Sequence, residues 1–234
     1  MSAPMTGVAL AVVTGGGSGI GRAIALELAR RGLDVALVGR TESTLRAVAV
    51  EAEGAGVKAL VSCADVAVGD EVRRAAATIE SSLGVPEIVV NNAGIAGRRA
   101  PVEATSEAEW DAVTGANLKG IFLVTRAFLP SMRALGRGRF VTIASISATL
   151  GTAGLAPYCA SKWGAVGFTK ALAEELRGSG LQALSILPGT VDTPMAKVGG
   201  FTPQMSAEDV ARLVAYAALD APDAMNGSAI ECFG

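Results

Sequence analysis

The chain has 234 residues, 50% hydrophobic and 18% charged, the composition of an ordered globular protein. Its net charge of −2, its pI near 5.3 and the lack of a basic stripe argue against a nucleic-acid partner. Mean hydropathy is +0.44, yet no apolar run approaches the roughly 18 residues of a membrane span, and no basic leader precedes the first apolar run.

Val8–Val13 reads as a buried strand, followed by a glycine loop over Gly15–Gly21. Ile20–Arg31 has helical periodicity and stops at Gly32. Val35–Val38 is a second strand, Glu42–Glu53 a helix closing at Gly54 and Gly56, and Lys58–Ser62 a third strand. Asp70–Leu83 is a helix ended by Gly84 and Pro86, and Glu87–Val90 is a fourth strand running into Asn91-Asn92-Ala93-Gly94. Ser106 caps a long helix, with Glu109 at the capping-box position, and its pattern runs toward Leu135 with Gly115, Gly120 and Pro130 as expected bends. Arg139–Ile143 is a fifth strand, Pro157–Arg177 a helix and Leu181–Leu187 a sixth strand. Ser206–Leu219 is a helix with Glu208 and Asp209 in its first turn, and Ser228–Glu231 is a short last strand.

Strands alternating with helices over the whole length imply an α/β fold, a parallel sheet covered on both faces. No linker, repeat or low-complexity tract divides the chain, so one domain over 1–234 is expected. Cys63, Cys159 and Cys232 are odd in number, and their spacing fits no metal site. They read as reduced small hydrophobes of a cytoplasmic protein.

The loop Thr14-Gly15-Gly16-Gly17-Ser18-Gly19-Ile20-Gly21 joins a strand to a helix. There backbone N–H groups and the helix dipole can hold a pyrophosphate. The second strand should end at the adenosine ribose, where a carboxylate would favour NAD. This chain has Arg40 instead, whose planar fork suits a 2′-phosphate and favours NADP(H); a merely solvated Arg40 is the alternative, and Ser18 adds no second cation.

Tyr158 and Lys162 stand four residues apart, on one face of a helix. The lysine's charge should lower the phenol's pKa and fit it for proton transfer. With no histidine in the chain, the commonest general acid/base is absent.

Four segments then coincide in order: Thr14–Gly21, Asn91-Asn92-Ala93-Gly94, Tyr158-x-x-x-Lys162 and Pro188-Gly189-Thr190-Val191-Asp192-Thr193. Together they resemble the short-chain dehydrogenase/reductase family, in the branch whose chains are about this length. The resemblance implies a Rossmann-type doubly wound sheet of about seven strands in the order 3-2-1-4-5-6-7. It makes Tyr158 the acid/base and gives Lys162 the nicotinamide ribose. Ser145 becomes the serine on the substrate oxygen, with Ser147 as its rival. Asn117 matches the helix asparagine that holds a water in the proton relay.

For the cofactor, the resemblance marks Gly15, Ser18, Gly19, Ile20 and Gly21 on the pyrophosphate, and Asp65 and Val66 on adenine. Asn91, Ala93 and Gly94 match the segment along the adenine ribose. Pro188, Gly189, Val191 and Thr193 match the loop at the nicotinamide end. No metal is expected.

The stretch Pro194 to Met205 should fold over the substrate, with Met195, Val198, Phe201 and Met205 apolar and Gly199-Gly200 a hinge. Ala96, Leu150, Thr190 and Met195 are expected to line an apolar pocket for a ketone or aldehyde. Arg98-Arg99 could greet an anionic substrate or simply face solvent. Relatives pair the helices equivalent to Ser106–Leu135 and Pro157–Arg177, which implies a homotetramer, with a dimer as fallback. The expected activity is NADPH-dependent carbonyl or 3-oxoacyl reduction. The alternatives are an NAD-dependent alcohol or steroid dehydrogenase and a non-catalytic dinucleotide sensor.

Overall fold

The computed structural model describes residues 9–199 and 202–234. Seven parallel strands form one sheet: β1 Leu10–Thr14, β2 Asp34–Gly39, β3 Ala59–Cys63, β4 Ile88–Asn91, β5 Gly138–Ile143, β6 Leu181–Pro188 and β7 Ala229–Cys232. Their order is β3-β2-β1-β4-β5-β6-β7, the doubly wound arrangement expected. The order reverses beside β1, whose neighbours are β2 and β4. Val8, the expected first residue of the opening strand, lies outside the described residues.

Helices cover both faces. On one side α1 Gly19–Arg30, α2 Glu42–Glu53 and α8 Ala207–Ala215 bury Ile24, Leu28, Val48 and Val214 against Val13, Leu37 and Val90 of the strands. On the other, α3 Gly69–Leu83, α5 Gly120–Leu135 and α6 Ala156–Glu175 bury Ile79, Phe128, Met132 and Leu172 against Val12, Val38 and Phe140. Successive residues of β1 therefore enter opposite cores, which explains why its sequence is an unbroken apolar run.

Two sequence expectations need correction. The long helix after Ser106 is two helices, α4 Glu107–Thr114 and α5, joined by a π-helical turn over Gly115–Lys119. Pro130 sits inside α5 without ending it. The extra residue of the turn is held by Asn117, which is fully buried and bonds across to Ile95. The helix after Ser206 likewise stops at Ala215 and passes into a π-helical turn over Tyr216–Asp220. The stretch from Pro194, expected to fold over the substrate, opens as a short helix, α7 Pro194–Gly199. Gly200 and Phe201 lie outside the described residues, as do the side chains of Lys197 and Val198. The capping box of Ser106 with Glu109 forms as expected, and Ser206 forms a second one with Asp209.

Candidate active site

A cleft of about 470 Å³ crosses the carboxyl ends of the strands, from the β3 and β2 ends to the β5 end. Its floor begins where β1 stops. The Thr14 hydroxyl donates to the Val90 carbonyl and accepts from the amides of Asn92 (2.9 Å) and Ala93 (3.1 Å). The Asn92 side-chain amide donates back to the Thr14 carbonyl at 2.9 Å. These bonds lock the glycine loop to the segment after β4. Both residues stand in the sequence motifs, which assign neither of them a role. The signal was a hydroxyl ending one strand and an amide ending its neighbour.

The glycines are needed where they stand. Gly15 has φ +66°, and a Cβ there would lie 2.9 Å from the Asn92 amide nitrogen. A Cβ at Gly21 would overlap the Gly15 carbonyl. The helix that follows is capped by Ser18, whose side chain makes no capping bond, so the first-turn N–H groups of α1 are not closed off by it. Gly15, Ser18, Gly19, Ile20 and Gly21 all line the cleft, joined by Gly17, which the sequence reading passed over. An uncapped helix start, with glycines that leave no room for a Cβ, fits a phosphate-bearing dinucleotide.

Arg40 follows β2 and lines the cleft with its side chain 69% exposed. Asp65 follows β3 and pairs with it at 3.8 Å. Val66, Ala93, Gly94 and Thr193 line the same space. Thr41, Thr44 and Asp111 do so as well, none of them foreseen. Asn91, Pro188, Gly189 and Val191 do not line it. Asn91 is buried and donates to Thr125, the Gly189 amide donates to the Cys232 carbonyl, and Val191 bridges to Met205. They build the ledges beside the cleft.

Past β5 the chain is extended at Ser145, whose hydroxyl accepts from the Ser147 amide at 3.1 Å. Ser147 is thus placed to orient Ser145 through its backbone. Tyr158 and Lys162 project from the first turns of α6 into the cleft wall, next to Ile143 and Ala144. Lys162 is 5% exposed, and its ammonium donates to the Ile143 carbonyl at 2.8 Å. The ammonium lies 5.7 Å from the centre of the Tyr158 ring. Burial pulls the Lys162 pKa down to about 8. Burial also raises the Tyr158 pKa, a hydrogen bond with Ser145 opposes the rise, and Cys159 adds to it. The lowering expected from the lysine is therefore not realised: the ammonium is drawn to a carbonyl instead of the phenol oxygen.

Asn117 backs this wall rather than lining it. Its Oδ1 accepts from the Ile95 amide at 2.8 Å, and its Nδ2 donates to the Ile95 carbonyl at 2.9 Å and to Ser161 Oγ at 3.0 Å. Gly94 permits the approach, since a Cβ there would meet Asn117 Oδ1 at 2.9 Å.

Of the residues expected to face substrate, Met195 lines the cleft, while Ala96, Ser145, Ser147, Leu150 and Thr190 do not, Ser145 standing next to the lining residue Ala144. Leu150 stands 57% exposed on the loop after β5. Arg98 is engaged with Glu109 and the Ala104 carbonyl, and Arg99 donates to the Ala153 carbonyl. Both tie the loops together. Among the described residues no group of three or more His, Cys, Asp or Glu could hold a metal ion, and no helix is long and apolar enough to cross a membrane.

A doubly wound sheet with a glycine-lined cleft at its carboxyl edge defines a dinucleotide-binding α/β protein. The short chain dehydrogenase family profile matches residues 9–200. The 3-oxoacyl-acyl-carrier-protein reductase FabG of Staphylococcus epidermidis is 33% identical over 237 residues, covering 96% of this chain and 97% of its own. An NADPH-dependent pterin aldehyde reductase of Arabidopsis thaliana is 36% identical over 202 residues, covering 83% of each chain. The crystal structure of a 3-ketoacyl-acyl-carrier-protein reductase from Brucella melitensis, complexed with NADH, superposes with a TM-score of 0.90 at 28% identity, covering 97% of each chain. The chain belongs to the short-chain dehydrogenase/reductase family. It is an NAD(P)-dependent oxidoreductase acting on CH–OH and C=O groups.

Proposed function

We propose that the protein is an NADPH-dependent reductase of a ketone or aldehyde, with the cofactor and catalytic sites in one domain. The observation that carries this is the run of one cleft from Arg40 after β2 to Tyr158 and Lys162 beside β5. The glycine loop and the start of α1 would hold the pyrophosphate, Val66 and Ala93 the adenosine half, and Thr193 the carboxamide. When bound, the nicotinamide supplies a hydride to the carbonyl carbon.

The chain's own residues handle the oxygen. Ser145 and Tyr158 donate hydrogen bonds to it and stabilise the charge that grows there. As the C=O bond opens, the phenol proton of Tyr158 passes to the oxygen and completes the alcohol. Lys162 stands behind, where it can bind ribose hydroxyls and offset the phenolate that remains. The Asn117 side chain holds Ile95 in place, with every polar atom engaged, so it acts as a positioning residue.

Met195, partly exposed where it lines the cleft, offers an apolar contact suited to hydrophobic substituents on the carbonyl. The reductase names of the Staphylococcus and Arabidopsis relatives agree with reduction. The Arabidopsis relative is NADPH-dependent while the Brucella structure holds NADH, and Arg40 is the reason to prefer NADP(H) here. The Asp65 carboxylate beside Arg40 favours the second reading, an NAD-dependent dehydrogenase. Exposed Trp110, Phe122 and Trp163 on α4, α5 and α6, with Phe233 beyond β7, support a homotetramer, or a dimer if only one surface closes. A monomeric mass by light scattering at micromolar concentration refutes the assembly.

The test is cofactor consumption against a ketone and alcohol panel with NADPH and NADH. We expect NADPH oxidation with hydrophobic ketones and its loss by at least about 100-fold in Tyr158→Phe, the lower bound for a general acid. Cofactor binding should survive that change. Binding without turnover on any carbonyl would support a sensor instead, and full activity of Tyr158→Phe overturns the mechanism.

A further inference from the structure

NAD and NADP differ at one group, the 2′-hydroxyl or 2′-phosphate of the adenosine ribose. Arg40 is the cation placed to read that group, and it already has an anion at hand. Its guanidinium lies 3.8 Å from Asp65 Oδ2. The contact follows from the sheet: Gly39 and Cys63 are register partners on β2 and β3, and the Ala64 amide donates to the Gly39 carbonyl at 2.9 Å. The residues just past those strand ends are therefore held side by side.

Asp65 is not free to swing away. Its Oδ1 accepts from the Ala67 amide at 2.9 Å, closing a local turn, and its own amide donates to Glu71 Oε2 at 2.8 Å. The remaining oxygen, Oδ2, is the one facing Arg40. The walls nearby add no second cation: Gly17, Ser18, Thr41 and Thr44 are neutral. Arg22 of α1 and Arg46 of α2 do not line the cleft and are engaged elsewhere, Arg22 with Glu51 and Arg46 with Glu42.

We infer that Asp65 sets the cofactor selectivity by competing with the 2′-phosphate for Arg40. This rests on the reading of Arg40 as the phosphate-binding residue. A ribose with a free 2′-hydroxyl leaves the Arg40–Asp65 pair intact. A 2′-phosphate must share the guanidinium with a fixed carboxylate and meets that carboxylate's charge at close range. The wild-type protein thus binds both cofactors, with a narrower preference than an unopposed arginine confers.

The test uses the adenosine halves alone, by calorimetry: 2′,5′-ADP, which carries the 2′-phosphate, against 5′-AMP, which does not. Asp65→Asn removes the charge and keeps an acceptor for the Ala67 amide. It should raise the affinity ratio of 2′,5′-ADP to 5′-AMP by about tenfold, the size of one partly exposed charge acting on a phosphate; any contact of Asp65 with adenine is common to both ligands and cancels in the ratio. Asp65→Ser, which also keeps a short acceptor, should shift the ratio the same way and guards against a local fault of the Asn variant. Arg40→Gln should weaken 2′,5′-ADP by at least about tenfold with 5′-AMP unchanged. Asp65 variants that weaken both ligands alike, or alter neither, while Arg40→Gln collapses the ratio, overturn the role of Asp65 and leave the NADP reading standing. A ratio untouched by Arg40→Gln overturns the phosphate reading and the inference with it.

Discussion

Replacing Lys162 by methionine should abolish catalysis and yet stabilise the cofactor-free protein. The ammonium is 5% exposed, and burial brings its pKa from 10.5 to about 8. Below pH 8 the folded protein carries the whole cost of keeping a buried charge. At about 1.4 kcal/mol per pH unit, that cost is about 3 kcal/mol. Methionine fills a similar unbranched volume without the charge. It gives up the bond to the Ile143 carbonyl at 2.8 Å, a loss of about 1 kcal/mol. Lys162→Met should therefore gain about 2 kcal/mol at pH 7, near 5 °C in Tm for a chain of this length. The folded pKa lies below the unfolded one, so wild-type stability climbs as pH rises from about 8 toward 10.5. The advantage of the variant should shrink over that window. Urea unfolding of the apo protein at pH 7 and pH 9.5 measures both. A destabilised variant, or a gap that stays constant with pH, refutes the account of the buried ammonium.

Asn117→Ala would leave the Ile95 amide and carbonyl and the Ser161 hydroxyl short of a buried partner, at about 1–3 kcal/mol for each group stranded. A loss of at least about 2 kcal/mol in urea unfolding is expected; a loss under about 0.5 kcal/mol shows that water replaces the side chain. Gly21→Ala drives a methyl into the Gly15 carbonyl, so cofactor affinity measured by fluorescence should fall at least about tenfold, and an unchanged affinity would mean the loop relaxes freely. The raised Tyr158 pKa keeps the phenol protonated through neutral pH. Reductive kcat/KM should thus hold flat from pH 6 to pH 8 in the Tyr158 limb, whereas oxidative kcat/KM should climb with pH as phenolate forms. Matching profiles in the two directions would contradict this assignment.

The sheet was legible because each strand is an apolar run closed by glycine, proline or a cap, and alternation with helices leaves few topologies open. Ser106 and Ser206 announced their helices through acids three residues on. The π-helical turn at Asn117 was not legible. It depends on bonds to Ile95, 22 residues away in sequence, and on Gly120 packing where a Cβ would lie 2.8 Å from Val66. The Arg40–Asp65 pair was hidden for a similar reason. A search for a carboxylate at the end of β2 found none, and the carboxylate arrives from β3. The four-residue spacing of Tyr158 and Lys162 correctly placed both on one wall of the cleft. Spacing could not reveal that the Ile143 carbonyl competes for the ammonium.

The burial of Tyr158 and Lys162 bears on direction. In the free protein, burial moves the two groups oppositely, Tyr158 upward and Lys162 down to about 8. The first proton to leave the pair on raising the pH is the ammonium's, not the phenol's. On the proposed mechanism, a carbonyl reaching Tyr158 near neutrality therefore finds a proton donor, the form that reduction needs. By the same mechanism an alcohol arriving there needs phenolate, which forms only as the pH rises toward the raised pKa of Tyr158. Reduction can then start from the protonated phenol that the free protein holds near neutrality, while oxidation must first remove its proton.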